Sequence, residues 1–290
     1  MTEPGLIDPD VPLSHLPSET KAERAGSFGG VASHYERYRP GPPVAAVDWI
    51  VPSRVGRIVD LGAGTGALTR LLIARADEVV AVEPDERMRS VLIEEVPGVR
   101  AVMGRGESMP LPGSCADAVV ASASWHWMDP VPALREVARV LVPGGILGAL
   151  WSGPDPEGPF LVQAQALLVE QSRRHDDSAA GDRSVRPGAG EFAGLIMGDA
   201  RRPPSTLEIP DGVPFDQPDH EVFRWDVALN ADELIGLLGT FSWITTMPEE
   251  TRRTVIAEAR RLLREFLGVE GDVTVDVAFR SEAWRSRRHD

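Results

Sequence analysis

A glycine-dense turn set directly behind a short apolar run constrains this chain more than any other feature. Ile58-Val59-Asp60-Leu61 has the length and character of a buried strand, and Gly62-Ala63-Gly64-Thr65-Gly66 follows it at once. Residues without a Cβ atom permit a tight turn and let a ligand approach the backbone. A helical pattern begins near Thr65, and a helix N-terminus there would offer unpaired N–H groups. Glu83, 21 residues after Gly62, closes the next apolar stretch ahead of Pro84. A carboxylate at that place in a strand–turn–helix–strand unit can take a ribose diol. The pattern points to a nucleoside-containing ligand.

Beyond this unit the sequence alternates regularly. Strands are expected at 56–61, 78–83, 99–103, 116–121 and 145–151, with helices at 65–75, 85–95 and 130–141 between them. Such alternation implies right-handed crossovers and a parallel sheet. The regularity then lapses. Pro159 to Arg174 reads as a helix, and Asp176 to Asp219, rich in Gly, Pro, Asp and Arg, as a mobile excursion and not as core. A strand returns at 222–229, helices at 231–239 and 248–267, and a last strand at 273–279. In that strand Val273, Val275, Val277 and Phe279 share one face.

Composition narrows the function classes. The net charge of −14 opposes a nucleic-acid partner, because phosphate neutralisation needs clustered Lys and Arg. Cys115 is the only cysteine, which excludes an intrachain disulfide and a multi-cysteine zinc site. The six histidines are scattered, so no metal constellation is expected. Met1 to Leu13 has no apolar core for a signal peptide, and Val140 to Trp151 is too short to span a bilayer. The expectation is a cytoplasmic protein with no membrane partner.

By glycine spacing alone, Gly62-x-Gly64-x-x-Ala67 also satisfies the dinucleotide pattern. Asp60 separates the two readings. An anionic pyrophosphate disfavours a carboxylate at the strand tip, whereas S-adenosylmethionine carries an ammonium and a sulfonium. Four blocks then carry a family resemblance: Asp60-Leu61-Gly62-Ala63-Gly64-Thr65-Gly66, Val82-Glu83-Pro84, Gly104-x-Gly106-Glu107-x-Met109-Pro110-Leu111, and Arg139-Val140-Leu141-x-Pro143-Gly144-Gly145. In order and spacing they resemble class I S-adenosylmethionine-dependent methyltransferases. The run Ala121-Ser122-Ala123-Ser124-Trp125-His126-Trp127 and the segment Phe28 to Pro40 are similar to the trans-aconitate methyltransferase-like subgroup.

The resemblance implies a Rossmann-like, doubly wound α/β fold. Its seven-stranded sheet is mostly parallel with an antiparallel last strand, and carries helical cap and lid insertions. Residues 1–26 would be a flexible leader, 27–50 a cap helix, 56–151 the cofactor core, 153–221 a lid and 222–290 the C-terminal helices and strands. S-adenosyl-L-methionine would be the cofactor and a small molecule the methyl acceptor, through a carboxylate or a hydroxyl. The alternatives are a nicotinamide-dependent reductase and a non-catalytic protein that binds the same cofactor.

The resemblance also implies site residues. Gly62, Gly64 and Gly66 would let the backbone touch the methionine part of the cofactor, with Asp60 near its ammonium. Glu83, followed by Pro84, would take both ribose hydroxyls. Met88 would pack on the adenine face or in the helix core. Arg105 stands where many relatives have an acid, so the backbone at Gly106 and Glu107 would take over adenine recognition, unless Glu107 is a surface acid. Tyr35 and Arg39, one helical turn apart, would close the cap over the cofactor, and Ser122 would face its methionine part. Trp125, His126 and Trp151 would line the acceptor pocket. His126 is the candidate base or acceptor-binding residue, or else a structural histidine; Trp125 has core as its other reading, and Trp151 lines the pocket or packs beneath it.

Overall fold

The computed structural model describes residues 37–164, 166, 206–240, 242–245 and 248–289. Tyr35 lies outside them, as does most of the expected lid. The described chain forms α1 (Val44–Ile50), β1 (Val55–Leu61), α2 (Thr69–Leu72), β2 (Ala76–Val82), α3 (Glu86–Glu95), β3 (Arg100–Val102) and β4 (Ala116–Ser122). It continues through α4 (Pro130–Val140), β5 (Leu141–Pro154), β6 (Asp219–Leu229), α5 (Ala231–Leu238), α6 (Ser242–Thr245), α7 (Glu249–Leu267) and β7 (Val275–Arg287). Single 3-10 turns occupy Ile73–Arg75 and Trp125–Trp127.

The seven strands make one sheet in the order β3-β2-β1-β4-β5-β7-β6. β1, β2, β3, β4 and β5 pair in parallel, and β7 runs antiparallel to both β5 and β6. Alternate side chains leave opposite faces of a strand. Val59 and Leu61 therefore join Val119, Ala121, Leu134 and Val137 under α4, while Ile58 joins Ala46, Val47, Ile50 and Leu72 under α1 and α2. Asp60 shares the second face and is fully buried there. Among the described residues no helix is long and apolar enough to cross a membrane.

Several sequence expectations shift. The helix expected at 65–75 begins only at Thr69. Gly62, Gly64 and Gly66 have φ of 71°, 57° and 97°, and a chain in the left-handed region cannot propagate a right-handed helix. The excursion expected to the end of 219 contributes to the core within its described part: Leu207, Ile209 and Phe215 are buried against the α4 side of the sheet. The last strand starts two residues later than expected, leaving Val273 52% exposed, and runs on to Arg287. Helical structure is present at 159–164, the described beginning of the helix expected after Pro159.

Candidate active site

The site is built at the carboxyl ends of β1, β2 and β4, where an open α/β sheet leaves a crevice. The turn after β1 is tied to β2, because Gly62 N–H and Ala63 N–H both donate to the Val82 carbonyl, at 2.8 and 3.1 Å. Gly64 N–H donates to Glu83 Oε2 at 2.9 Å. The other oxygen, Glu83 Oε1, accepts the Asp85 N–H at 2.8 Å. Asp85 then caps α3 by accepting from the N–H groups of Arg87 and Met88. Glu83 is thus fixed by the backbone on either side of it. Burial pushes its carboxyl up, against the pull of those two N–H groups.

The three glycines of the turn do different work. A Cβ on Gly62 would lie 2.5 Å from the Cβ of Ser124, and one on Gly66 2.9 Å from Val96. These two positions admit neighbouring protein. A Cβ on Gly64 would meet no described atom within 4 Å. Of the three glycines expected to touch a ligand, Gly64 alone opens on free space. Ser124 seals the turn from below, donating from its hydroxyl to the Leu61 carbonyl at 2.6 Å.

Beside this opening lie two buried oxygens without a described partner. Asp60 Oδ2 accepts from the Thr69 hydroxyl at 2.6 Å, but Asp60 Oδ1 has no partner, and neither has Thr65 Oγ1. A buried unsatisfied polar atom costs about 1–3 kcal/mol. Burial raises the Asp60 carboxyl to about 7, with the Glu83 charge adding to the shift and the Thr69 bond opposing it. An ammonium arriving here would meet an acceptor with nothing else to bind. These acceptors fit the ammonium at the methionine end of the cofactor that the sequence implied.

The remaining expected residues separate into groups. Met88 is 5% exposed, inside α3's buried face, and Pro84 is exposed. Gly106 is packed against Met128, whose sulfur a Cβ there would meet at 2.3 Å. Glu107 accepts the Asp129 N–H through Oε1 at 2.7 Å, linking its loop to the segment after β4. Arg39 is half-buried in a bend just before Pro40, after the helical residues 37 and 38. Ser122 ends β4 in register with Leu150.

The run after β4 divides by burial. Trp125 is 5% exposed and packs in the main core with Met128 and Leu134, the core role that the sequence left open beside pocket lining. His126 is half-buried, and its Nδ1 accepts the indole N–H of Trp151 at 3.0 Å. The Trp127 ring is tilted against His126, with centroids 4.5 Å apart. Ala123, at the bend between strand and loop, takes a left-handed φ of 50°.

Sequence reasoning missed a cluster of paired side chains beside Trp151. Glu282 of β7 is its register partner and is 8% exposed. Its two oxygens meet His220 Nε2 at 2.5 Å and the Arg280 guanidinium at 2.9 Å. His220 stacks on Trp284, centroids 4.0 Å apart. The signal available was the alternation of Arg280, Glu282 and Trp284 along one face, which the charged run had disguised.

Comparison with known proteins agrees with this geometry. A family profile described as a methyltransferase domain matches residues 59–149. An uncharacterized methyltransferase of Mycobacterium tuberculosis is 36% identical over 237 residues, covering 82% of this chain and 85% of its own. The chain belongs to the class I S-adenosylmethionine-dependent methyltransferases. Its family uses S-adenosyl-L-methionine as methyl donor. A malonyl-[acyl-carrier protein] O-methyltransferase of Pectobacterium atrosepticum is 29% identical over 130 residues, 42% of this chain and 50% of that one. The solved structure of a presumed type II methyltransferase from Anaeromyxobacter dehalogenans superposes with a TM-score of 0.52 at 24% identity, covering 87% of this chain and 98% of that chain, and shows the same fold. Among the described residues no group of three or more His, Cys, Asp or Glu side chains could hold a metal ion.

Proposed function

We propose that this methyltransferase alkylates an oxygen of a small molecule, a carboxylate or a hydroxyl, in the manner of the trans-aconitate methyltransferase-like subgroup. The observation that carries the placement of the cofactor is the open cradle at Gly64, flanked by the unpartnered oxygens of Asp60 and Thr65. In this reading Asp60 takes the ammonium, Glu83 the ribose hydroxyls through its remaining lone pairs, and Met88 and the Gly106–Glu107 backbone the adenine. Ser122, with Arg39 and Tyr35 from the cap, closes the methionine end. A carboxylate has about four acceptor sites, so Glu83 can hold its two backbone donors and still bind a diol.

When bound, S-adenosylmethionine supplies a methyl group already activated on a sulfonium. The chain's part is then alignment and the exclusion of water. Holding the reacting atoms about 3–3.5 Å apart can contribute roughly 7–11 kcal/mol to lowering the barrier. In this reading His126, in the turn after β4, and Trp151, in the last third of β5, face the acceptor. The similarity to a protein named as an O-methyltransferase supports oxygen as the methylated atom.

Two measurements test this. Calorimetry with S-adenosylmethionine and, separately, with NADH should show binding of the first alone. A labelled-methyl assay over small carboxylic acids, phenols and amines should show transfer to oxygen. Transfer confined to amines would overturn the proposal.

A further inference from the structure

We infer that the ring of Tyr38, seated on Gly236 of α5, holds residues 37–41 as a strap beside the cofactor turn, and that Tyr38 and Gly236 are positioning residues for S-adenosylmethionine. This rests on the methyl-transfer reading above and gives the C-terminal part of the chain a share in holding the cofactor.

Glycine is a poor residue for the middle of a helix, and alanine is the best. Gly236 nevertheless lies within α5 and is buried there. It does not take a positive φ, so the backbone does not call for glycine. The space does. A Cβ at Gly236 would fall on the Tyr38 ring, 2.6 Å from Cε1 and nearer still to Cγ and Cδ1. The ring therefore lies directly on the helix backbone. Arg37 lies over the same ring, its Cζ 5.1 Å from the centroid, within the range of a cation–π contact.

The seat is itself well fastened. Asn230 and Glu233 close the first turn of α5 with a capping box. Leu237 packs with Leu229 of β6 and with Val277 and Phe279 of β7, so α5 is tied to the end of the sheet farthest in strand order from β1. The other end of the strap reaches the cofactor turn. A Cβ on Gly41 would lie 3.8 Å from the Ala67 carbonyl oxygen and 3.9 Å from the Ala67 Cβ, one residue past Gly66. The chain from Tyr38 to Gly41 can span at most about 11 Å. Arg39 and Pro40 lie between these two contacts, so Arg39 is carried to the margin of the turn by a contact on either side.

A segment that must become ordered when a ligand binds subtracts its ordering cost from the affinity. A seat on α5 places that cost in the fold, and the cofactor then meets residues 39–41 already in position. If loss of the seat left the strap in place a tenth of the time, the apparent affinity would fall about tenfold. A methyl group at residue 236 displaces the ring while favouring the helix, which separates loss of the seat from loss of α5.

The test uses the full chain and two readouts, hydrogen exchange of residues 37–41 by mass spectrometry and calorimetry with S-adenosylmethionine. Gly236→Ala should speed exchange at 37–41 and weaken cofactor binding about tenfold, with no loss of helical signal. Tyr38→Ala should do the same, and the double variant should be no worse than either single one, because both remove one contact. Tyr38→Phe keeps the ring on Gly236 and should retain affinity within about threefold. Unchanged exchange in Gly236→Ala would overturn the inference, and so would losses that add in the double variant or a Tyr38→Phe as weak as Tyr38→Ala. A Gly236→Ala that lowers the melting temperature and leaves cofactor affinity intact would make the contact merely structural and overturn it too. Failure of the methyl-transfer reading would look different, as a wild type that binds no S-adenosylmethionine yet keeps its slower exchange relative to Gly236→Ala.

Discussion

Buried carboxylates are treated differently on the two sides of this sheet. At the tip of β1, Asp60 is fully buried with one oxygen bonded and one left without a partner. On the β5–β7–β6 side, Asp155 accepts from Arg224 Nε and from the Glu157 N–H, and Glu282 is held by His220 and Arg280. A carboxylate closed by its own chain holds strands together. One that is left half open carries a cost of folding that only a ligand can recover. On the proposed reading the same residue type serves architecture on one side and recognition on the other, and the hydrogen-bond partners distinguish them where the sequence cannot.

The sharpest way to break this contrast is through glycine. Gly62→Ala would put a methyl group 2.5 Å from the Cβ of Ser124 at φ 71°. Left-handed strain and overpacking together should cost about 3 kcal/mol. Gly153→Ala, in β5, meets no described atom within 4 Å and has no such φ, and should change stability by less than about 0.5 kcal/mol. Thermal melts of the two variants check this. Equal losses would show that the turn is no more constrained than the far strand.

A smaller effect should appear in pH. Asp60 ionises at about 7 in the folded protein against an ordinary 3.8. Folded protein then binds more protons than unfolded protein across that window, so this group's contribution to stability falls as pH rises from about 4 to about 7. Cofactor binding runs the other way, because an ammonium prefers the ionised carboxylate. Affinity for S-adenosylmethionine should weaken about thirtyfold, or about 2 kcal/mol, between about pH 8 and pH 5.5. Glu83, also raised by burial, acts in the same direction. Calorimetry at several pH values should show the dependence flattened in Asp60→Asn, and an undiminished slope there would remove Asp60 from the ammonium site.

The same contrast explains what could be read from the sequence. The turn at Gly62–Gly66 was legible because its left-handed backbone favours glycine, and the strands of the parallel half because apolar runs alternate there with helical patterns. The later start of α2 was not, because helical periodicity at 65–75 says nothing of φ at Gly64 and Gly66. The C-terminal half of β7 was hidden by its charges: Arg280-Ser281-Glu282-Ala283-Trp284-Arg285 reads as surface until β6 supplies His220 and β5 supplies Trp151. Leu207, Ile209 and Phe215 were hidden by their company, a Pro- and Asp-rich stretch with no period. Trp151 and His126 were singled out, yet their contact joins two separate strand ends and has no signature in either segment.

The smallest effect tests the far side alone. Asp155 is 3% exposed and its Arg224 partner is 56% exposed at the side chain, so the pair is solvated at one end. Asp155→Asn keeps the shape and one acceptor oxygen while removing the charge. The Glu157 N–H can still find that oxygen, and Arg224 can turn to water. The loss should be about 1 kcal/mol, the worth of a charge-assisted bond with one exposed partner. It should shift the denaturant midpoint and leave the affinity for S-adenosylmethionine unchanged, because Asp155 pairs with β6 and β7 and not with the glycine turn. A change in cofactor affinity as large as that of Asp60→Asn would mean that the two sides of the sheet are coupled, and that the half-open carboxylate at β1 owes its state to strands beyond β5.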